Sequence, residues 1–464
     1  MDPHLDAQQR HQLKQRLSAN VHDLLVIGGG VTGAGIALEA AARGLDVALV
    51  EKQDFASGTS SRSTKLIHGG LRYLKQLELG LVREVGRERA IVYRLAPHLV
   101  RPEKMLLPIV EGGTLGRWST ALALTVYDLL AGVPRDHRKR MLGKAATLQE
   151  EPLLPAEKVK AGACYYEYRT DDARLTMALI KTAVAHGATC VNYLRAKSFI
   201  HEEDRATGVV CTDQLTGEEV EVKARVIVNA AGPWVDELRR LDHSLHGKRL
   251  FLSKGVHLVF PHQKFSVRHA VYFDVGDGRM MFAIPRQGKT YVGTTDTPWP
   301  TSADEVRITR QDVDYILAGI RHMFPSIRLS PKDVESSWAG VRPLIYEEGK
   351  EASEMSRRDE IFLSPSGLIS IAGGKLTGYR PMAARVMKLV DRRLRKQYKV
   401  RTRPARTDRI PLDGGPFAGE AEFQHFRKEL EQQCRTLDLP PHTAERLATT
   451  WGRHAATLLE GVTS

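Results

Sequence analysis

Cysteine is scarce in this chain: four residues, at 164, 190, 211 and 434, among 464. They form no C-x-x-C pair and no metal-ligand spacing, so no metal is expected and a disulfide-framed scaffold is excluded. Reduced thiols in a cytoplasmic protein fit best. Aromatic residues are also few, 6%, and none interleave with basic residues as a nucleic-acid strip would need. No stretch reaches the roughly 18–20 apolar residues that cross a bilayer. The opening MDPHLDAQQRHQLKQRLSAN lacks the apolar segment of a secretory signal. Acidic charge runs short as well, with 55 Asp and Glu against 68 Lys and Arg, a formal net charge of +13. Such an excess suits an anionic substrate, an anionic membrane surface or nucleic acid. The third lacks any supporting module, so no nucleic-acid partner is expected.

What is present starts at Asp23. The β-branched run Leu24 to Ile27 reads as a buried parallel strand. Gly28, Gly30 and Gly33 follow at the G-x-G-x-x-G spacing, an Ala-rich helix pattern runs from Val31 to Arg43, and Val47 to Val50 reads as a second buried strand. It ends in Glu51, 23 residues after Gly28. Each part has a physical task. Gly28 makes the tight turn, Gly30 lets backbone approach a pyrophosphate, and Gly33 lets helix pack on strand. Unpaired N–H groups at the helix start suit phosphate, and Glu51 suits ribose hydroxyls. A lone glycine fingerprint is weak. Here it has both strands, the helix and the acidic end, which points to a dinucleotide. No second such fingerprint occurs, which argues against a separate nicotinamide domain.

The Ser/Thr/Gly-rich stretch FASGTSSRSTKLIHGGLRYL comes next, where backbone would wrap a cofactor. Helices are predicted over 78–95, 118–130 and 170–186, the last capped by Thr170 with Asp171 and Asp172 in its first turn. The 118–130 segment is amphipathic and precedes the basic run RDHRKR, a pattern found at membrane surfaces and also in ordinary packed helices. A β-meander over 195–228 ends in a small-residue turn at Ala230–Gly232. Residues 251–297 read as antiparallel strands of a second domain. The segments 334–344 and 363–380 read as returns to the first domain. The second of these has a glycine pair before a helix start, suited to an electron-rich group. After a basic linker, the last two helix patterns resemble the start of a helical domain, and an incomplete C-terminus is expected.

Taken together, VIGGGVTGAGIALEAAARGLDVALVEKQDFASGTSSRSTKLIHGGLRYL, APHLV, YRTDDARL, VNAAGPWVD, SKGVHLVFP, VGTTDT, AGVRPL and GGKLTGYR resemble the FAD-dependent glycerol-3-phosphate dehydrogenases, notably those of Gram-positive bacteria. The resemblance covers about residues 20–395. It implies an α/β fold: a glutathione-reductase-type FAD-binding Rossmann domain (21–95, 165–250 and 336–398) interleaved with an antiparallel-sheet substrate domain (96–164 and 251–335). A C-terminal helical segment (399–464) follows. It also implies oxidation of sn-glycerol 3-phosphate to dihydroxyacetone phosphate, with FAD as cofactor, quinone as acceptor, a homodimer, and peripheral contact with an anionic membrane surface. The nearest alternative is a glycerol-3-phosphate oxidase that uses O2 and releases H2O2. Oxidases of that kind typically carry an extra insertion, and none is evident.

On the same resemblance FAD contacts fall on Gly28, Gly30, Gly33, Glu51, Thr59, Ser60, Ser63, Lys65, Leu66, His68, Ala231, Gly232, Gly374, Lys375, Leu376 and Thr377. A dianionic substrate needs fixed cations, and guanidinium matches phosphate best. Arg72, Arg342, Arg358 and Lys375 are the candidates, with Arg357 an alternative to Arg358 and Tyr73 a hydrogen-bonding partner. Oxidising an alcohol also needs a proton acceptor near its working pKa. His257, in SKGVHLVFP, is expected as base or orienting group, with His68 its rival. Lys375 is expected either to bind substrate or to stabilise reduced flavin. The expected catalytic set is His257, Arg342 and Lys375.

Overall fold

The computed structural model describes residues 5–67, 79–114, 116–130, 133, 137–346 and 358–462. The opening βαβ unit forms as its pattern dictates: strand Val21–Ile27, helix Val31–Ala42 and strand Val47–Val50. The two strands read as continuous apolar runs because both faces of their sheet are covered. Side chains such as Leu24, Val26 and Leu49 enter one core, while Leu25, Ile27 and Val50 enter another on the opposite face. Across this sheet the strands run Asp359–Leu363, Ile369–Gly373, Glu219–Asn229, Val21–Ile27, Val47–Val50 and Thr189–Val191. All neighbours are parallel except the first pair. The meander Leu194–Glu202 and Arg205–Asp213 joins antiparallel onto the first half of Glu219–Asn229.

Helix Val31–Ala42 is buried on nearly every side because helix Tyr379–Arg393 covers its outer face. A Cβ placed on Gly35 would stand 2.8 Å from the Tyr379 ring, so the small residue sets how closely these helices approach. Helix Asp172–Ala185 packs beside them. Its cap is Asp171, whose carboxylate accepts the Arg174 N–H at 3.0 Å. Thr170, the predicted cap, is instead the last residue of strand Val159–Thr170.

The second sheet has ten strands among the described residues, in the order Thr297–Pro298, Leu250–Pro261, Lys289–Gly293, Met280–Arg286, Ala270–Asp274, Val100–Val110, Val159–Thr170 and Leu66–Ile67. Ser336–Ile345 adds onto Leu250–Pro261, and Arg140–Gly143 onto Val159–Thr170. Pairing is antiparallel except where Ala270–Asp274 meets Val100–Val110. Three segments differ from the boundaries read in the sequence. Residues 66–67, 165–170 and 336–345, placed there with the cofactor sheet, are hydrogen-bonded into the second sheet. Local alternation looks the same in either sheet, and only the long-range register separates them.

Helices Glu420–Thr436, His442–Trp451 and His454–Glu460 close over their own small core around Phe423, Phe426 and Leu430. Arg101–Glu445 at 2.5 Å and Tyr93 Oη–Glu420 at 2.9 Å fasten that unit to the rest. Among the described residues no helix is long and apolar enough to cross a membrane.

Candidate active site

Four of the five parallel strands of the first sheet end in loops that meet on one edge. This carboxyl edge, where open α/β sheets bind ligands, is assembled from Gly28–Gly30, Glu51, Ala230–Gly232 and Gly373–Thr377. Gly28 takes a positive φ of 116°, and a Cβ there would meet the Ala230 carbonyl oxygen at 2.6 Å. Gly33 has no such option either, because its Cβ would drive into the Gly28 carbonyl oxygen. Glu51 turns back under the glycine loop and accepts the Gly29 N–H at 2.7 Å and the Gln53 N–H at 2.9 Å. Burial raises its pKa, against the lowering effect of those two N–H donors.

Several more predicted cofactor contacts stand at this edge, whereas Ser63, Lys65 and Leu66 fall in the group of residues around Asp172. Ser60 Oγ accepts the Val31 N–H at 2.9 Å at the helix start, and Thr59 Oγ1 donates to the Val341 carbonyl at 2.7 Å. Ala231 and Gly232 open a short helical turn, and behind it the Trp234 indole N–H is buried with no partner among the described residues. Gly373 and Gly374 take φ of 77° and 80°, which turns the chain so that Lys375, half-buried, precedes the Leu376–Gly378 turn. A glycine cradle, a half-buried carboxylate at the end of the second strand and an orphaned donor fit an extended dinucleotide.

A second constellation stands where the loop after Glu51 meets the second sheet. Asp172 organises it: its carboxylate accepts Ser63 N–H at 3.0 Å, Ser63 Oγ–H at 2.6 Å and the Lys65 ammonium at 2.6 Å. Lys65 itself holds a positive φ of 59°, and Leu66 then pairs with Arg169. Thr64, between them, has its hydroxyl 3.0 Å from His257 Nε2 and its carbonyl accepting the Tyr291 hydroxyl at 3.0 Å. His257 is 1% exposed and stacks on Trp338 with centroids 4.7 Å apart and planes 12° apart. Trp338 in turn donates its indole N–H to the Ser63 carbonyl at 3.2 Å.

Register explains how a distant cation reaches this histidine. His257 pairs with Trp338, Gly255 with Gly340 and Ser253 with Arg342, so alternate positions put all six on one face. Gly255 carries no side chain, and the Arg342 guanidinium lies across the space its Cβ would fill. There Arg342 donates to Thr294 Oγ1 at 2.9 Å and to the Thr295 carbonyl at 3.3 Å, and pairs with Asp296 at 3.3 Å. Burial pushes the His257 pKa well down, and the positive charges of Arg342 and Lys65 push it further. Its imidazole is therefore neutral at neutral pH. Nδ1 has no hydrogen-bond partner among the described residues.

The structure thus brings His257 and Arg342 together with Lys65, while Lys375 stands on the cofactor edge. Arg358 is exposed beside that edge, its carbonyl facing Gly373. His68, Arg72 and Tyr73, together with Arg357, lie outside the described residues. Sequence reasoning missed Thr64, Trp338, Tyr291, Asp172 and Asp296 as members of this group. Asp296 and Trp338 lie in VGTTDT and SSWAGVRPL, Tyr291 just before the former, Thr64 in the Ser/Thr-rich loop and Asp172 in YRTDDARL; no local pattern reveals the register and loop contacts that bring them together.

Comparison with known proteins places this geometry. The FAD dependent oxidoreductase family profile matches residues 23–384. An aerobic glycerol-3-phosphate dehydrogenase of Bacillus subtilis is 50% identical over 462 residues, covering 100% of this chain and 83% of the relative. Its counterpart in Staphylococcus aureus is 50% identical over 445 residues, covering 96% and 80%. The crystal structure of a glycerol-3-phosphate dehydrogenase from Bacillus halodurans complexed with FAD superposes with a TM-score of 0.82 at 47% identity, covering 98% of this chain and 80% of that one. An L-alpha-glycerophosphate oxidase from Mycoplasma pneumoniae, at 20% identity and a TM-score of 0.63 over 83% of this chain and 97% of its own, shares the fold.

Proposed function

This chain belongs to the FAD-dependent glycerol-3-phosphate dehydrogenases, and from that premise we propose that it oxidises sn-glycerol 3-phosphate to dihydroxyacetone phosphate and delivers the electrons to a quinone at a membrane surface. FAD would be held along Gly28, Gly30, Gly33 and Glu51 and would supply a two-electron hydride acceptor. The chain's own residues have two tasks: to hold a dianion and to take a proton. The observation that carries the reading is the buried neutral His257 between Lys65 and Arg342. Its Nε2 accepts the proton of the secondary hydroxyl in place of the Thr64 contact, as hydride leaves the same carbon. Burial, with Arg342 and Lys65 adding to it, keeps the imidazole unprotonated before substrate arrives. A bound dianion offsets the two cations and makes the imidazolium easier to form. Arg342 binds the phosphate, and Arg72, Tyr73, Arg358 and Lys375 complete the substrate set in this proposal.

The acceptor is decided by one experiment. Glycerol 3-phosphate added anaerobically to the oxidised holoenzyme bleaches the flavin, and a soluble quinone then restores its colour rapidly. Rapid restoration by O2 with peroxide release makes the protein an oxidase. A flavin that never bleaches sinks both readings.

The membrane part of the proposal rests on helix Arg117–Leu130. Trp118, Leu122 and Leu129 are 86%, 68% and 81% exposed. At about 100° per residue they fall within roughly 40° of one another. Thr120, Leu124 and Tyr127 are buried on the opposite side, where Tyr127 Oη lies 2.6 Å from Arg89 and 2.9 Å from Glu167. Exposed Arg138 and Arg140 follow the helix. An apolar stripe beside basic side chains suits an anionic lipid surface. The protein should sediment with vesicles containing phosphatidylglycerol and much less with phosphatidylcholine alone, and Leu122→Asp with Leu129→Asp should release it. Binding that ignores lipid charge, or survives both substitutions, rejects this surface. Sedimentation velocity on the same samples measures the homodimer that completes the proposal.

A further inference from the structure

The first sheet has a second ligand-shaped feature, at the end away from the cofactor loops. A cavity of about 280 Å³ is lined there by Arg205, Arg225, Arg393, Ser364, Ser366 and Gln397 among others. Arg225 sits on Glu219–Asn229 between the residues that pair with His22 and Leu24. Ile227, the lining residue on this strand nearest the cofactor loops, lies three residues before Ala230, about 10 Å at strand rise. The lining turn from Ser364 to Gly367 stands at the start of strand Ile369–Gly373, whose far end carries the glycine pair, so the cavity is separate from the cofactor loops.

Its chemistry is lopsided. Three guanidiniums line it and no carboxylate does. Two acids stand behind the wall, and both have partners: Asp23 pairs with Arg225, and Asp242 accepts the Ser366 hydroxyl at 2.6 Å. Arg205 donates only to neutral oxygens, Gln397 Oε1 at 2.6 Å and Tyr398 Oη at 3.1 Å, and Arg393 donates to the Gly367 carbonyl. Neither has a carboxylate partner among the described residues. Both Arg205 and Arg225 lean on the Tyr398 ring, at 5.8 and 5.9 Å, which fixes their heads in place. Burial pushes the Arg393 pKa down, and so does the neighbouring charge of Arg205.

A structural role explains each arginine singly: Arg393 closes the turn before Leu368, Arg225 anchors Asp23, and Arg205 ties down the chain after helix Tyr379–Arg393. It does not explain why three converge on one cavity with two serine hydroxyls and no acid. We propose that this cavity binds a small soluble phosphate ester, with the guanidiniums taking the phosphate oxygens in the paired geometry that arginine favours. At about 30 Å³ per water the space equals roughly nine waters, enough for a phosphate and a short organic chain.

The test is calorimetric titration of the oxidised holoenzyme with inorganic phosphate and with 2-phosphoglycerate. Two sites per chain are expected. Arg205→Gln and Arg393→Gln should each weaken one of them at least about tenfold while kcat and KM for glycerol 3-phosphate stay unchanged. Arg342→Ala should remove the other. Arg205 is exposed at the rim, so Arg205→Gln keeps the test valid if Arg393→Gln disturbs the turn. A single site that Arg342→Ala abolishes and Arg205→Gln leaves intact overturns the proposal. So does an Arg205→Gln protein that loses vesicle binding with its phosphate titration unaltered, since the cavity would then serve a lipid headgroup. Persistence of both sites in Arg342→Ala counts against the active-site assignment and not against this cavity.

Discussion

His257 is the residue on which the proposed chemistry rests most, and its environment is the one the sequence described least. From SKGVHLVFP, a histidine among apolar neighbours is visible, and nothing more. Its stack on Trp338, its contact with Thr64 and the reach of Arg342 over Gly255 all depend on strand register, which a single sequence leaves unstated. Glu51 is the opposite case, legible because its position follows from counting along one βαβ unit. The depressed pKa of His257 has a consequence with a definite sign. In the unfolded chain a histidine titrates near 6.5, whereas in the folded protein burial, then Arg342 and Lys65, hold it lower. Between those values the unfolded state binds more protons, so this group's contribution to stability is lost as pH falls below about 6.5. The melting temperature of His257→Asn should therefore gain on that of wild type as the pH is lowered from 7 to about 5. A constant difference across that range would mean that His257 titrates as in the unfolded chain. The same variant should lose about 10²–10⁴ in kcat while FAD stays bound; a loss confined to KM would make His257 an orienting group.

At the scale of elements, the first helix is the part most fully dictated by local sequence. Small residues recur along Val31–Ala42 because one end must admit the Gly28 carbonyl and the middle must admit Tyr379. Gly33→Ala places a methyl group against that carbonyl, so the helix must lift from the turn that would hold the pyrophosphate. The expected outcome is a folded protein purified with little flavin, read as the ratio of flavin to protein absorbance. Full flavin content in Gly33→Ala would mean that the turn yields instead. Other elements were less legible for identifiable reasons. Val100–Val110 carries Pro102 and Pro108, which argue against a long strand when read locally, yet it pairs along most of Val159–Thr170. Asp171 and Thr170 are both good caps. The choice fell to Asp171 because Thr170 is held in the sheet, its N–H donating to the Lys65 carbonyl at 2.8 Å. That contact also fixes Asp172 where it meets Ser63 and Lys65, so the helix start belongs to the site as well as to the helix.

The whole molecule adds what no element holds alone: a site shared between two sheets, inside a strongly positive chain. The cofactor edge comes from the first sheet, His257 and Arg342 from the second, and the loop through Thr64 joins them. The fold class follows from the fingerprint and the run of strands. The assignment of residues 336–345 to the second sheet does not, because ten register pairs with Leu250–Pro261 decide it. The net charge of +13 was legible from composition, and its effect on catalysis can be separated from the chemistry. A field of this sign concentrates a dianion near Arg342 and Lys65 before contact, and salt weakens it as the Debye length falls from about 30 Å at 0.01 M to about 8 Å at 0.15 M. Proton and hydride transfer take place inside a buried site that salt screens far less. Raising ionic strength over that range should therefore lower kcat/KM for glycerol 3-phosphate several-fold and leave kcat nearly constant. The measurement needs steady-state kinetics with a soluble quinone, so that membrane binding does not contribute. If kcat falls while kcat/KM holds, the positive charge is not guiding the substrate, and its use must lie at the exposed helix Arg117–Leu130 or the arginine cavity instead.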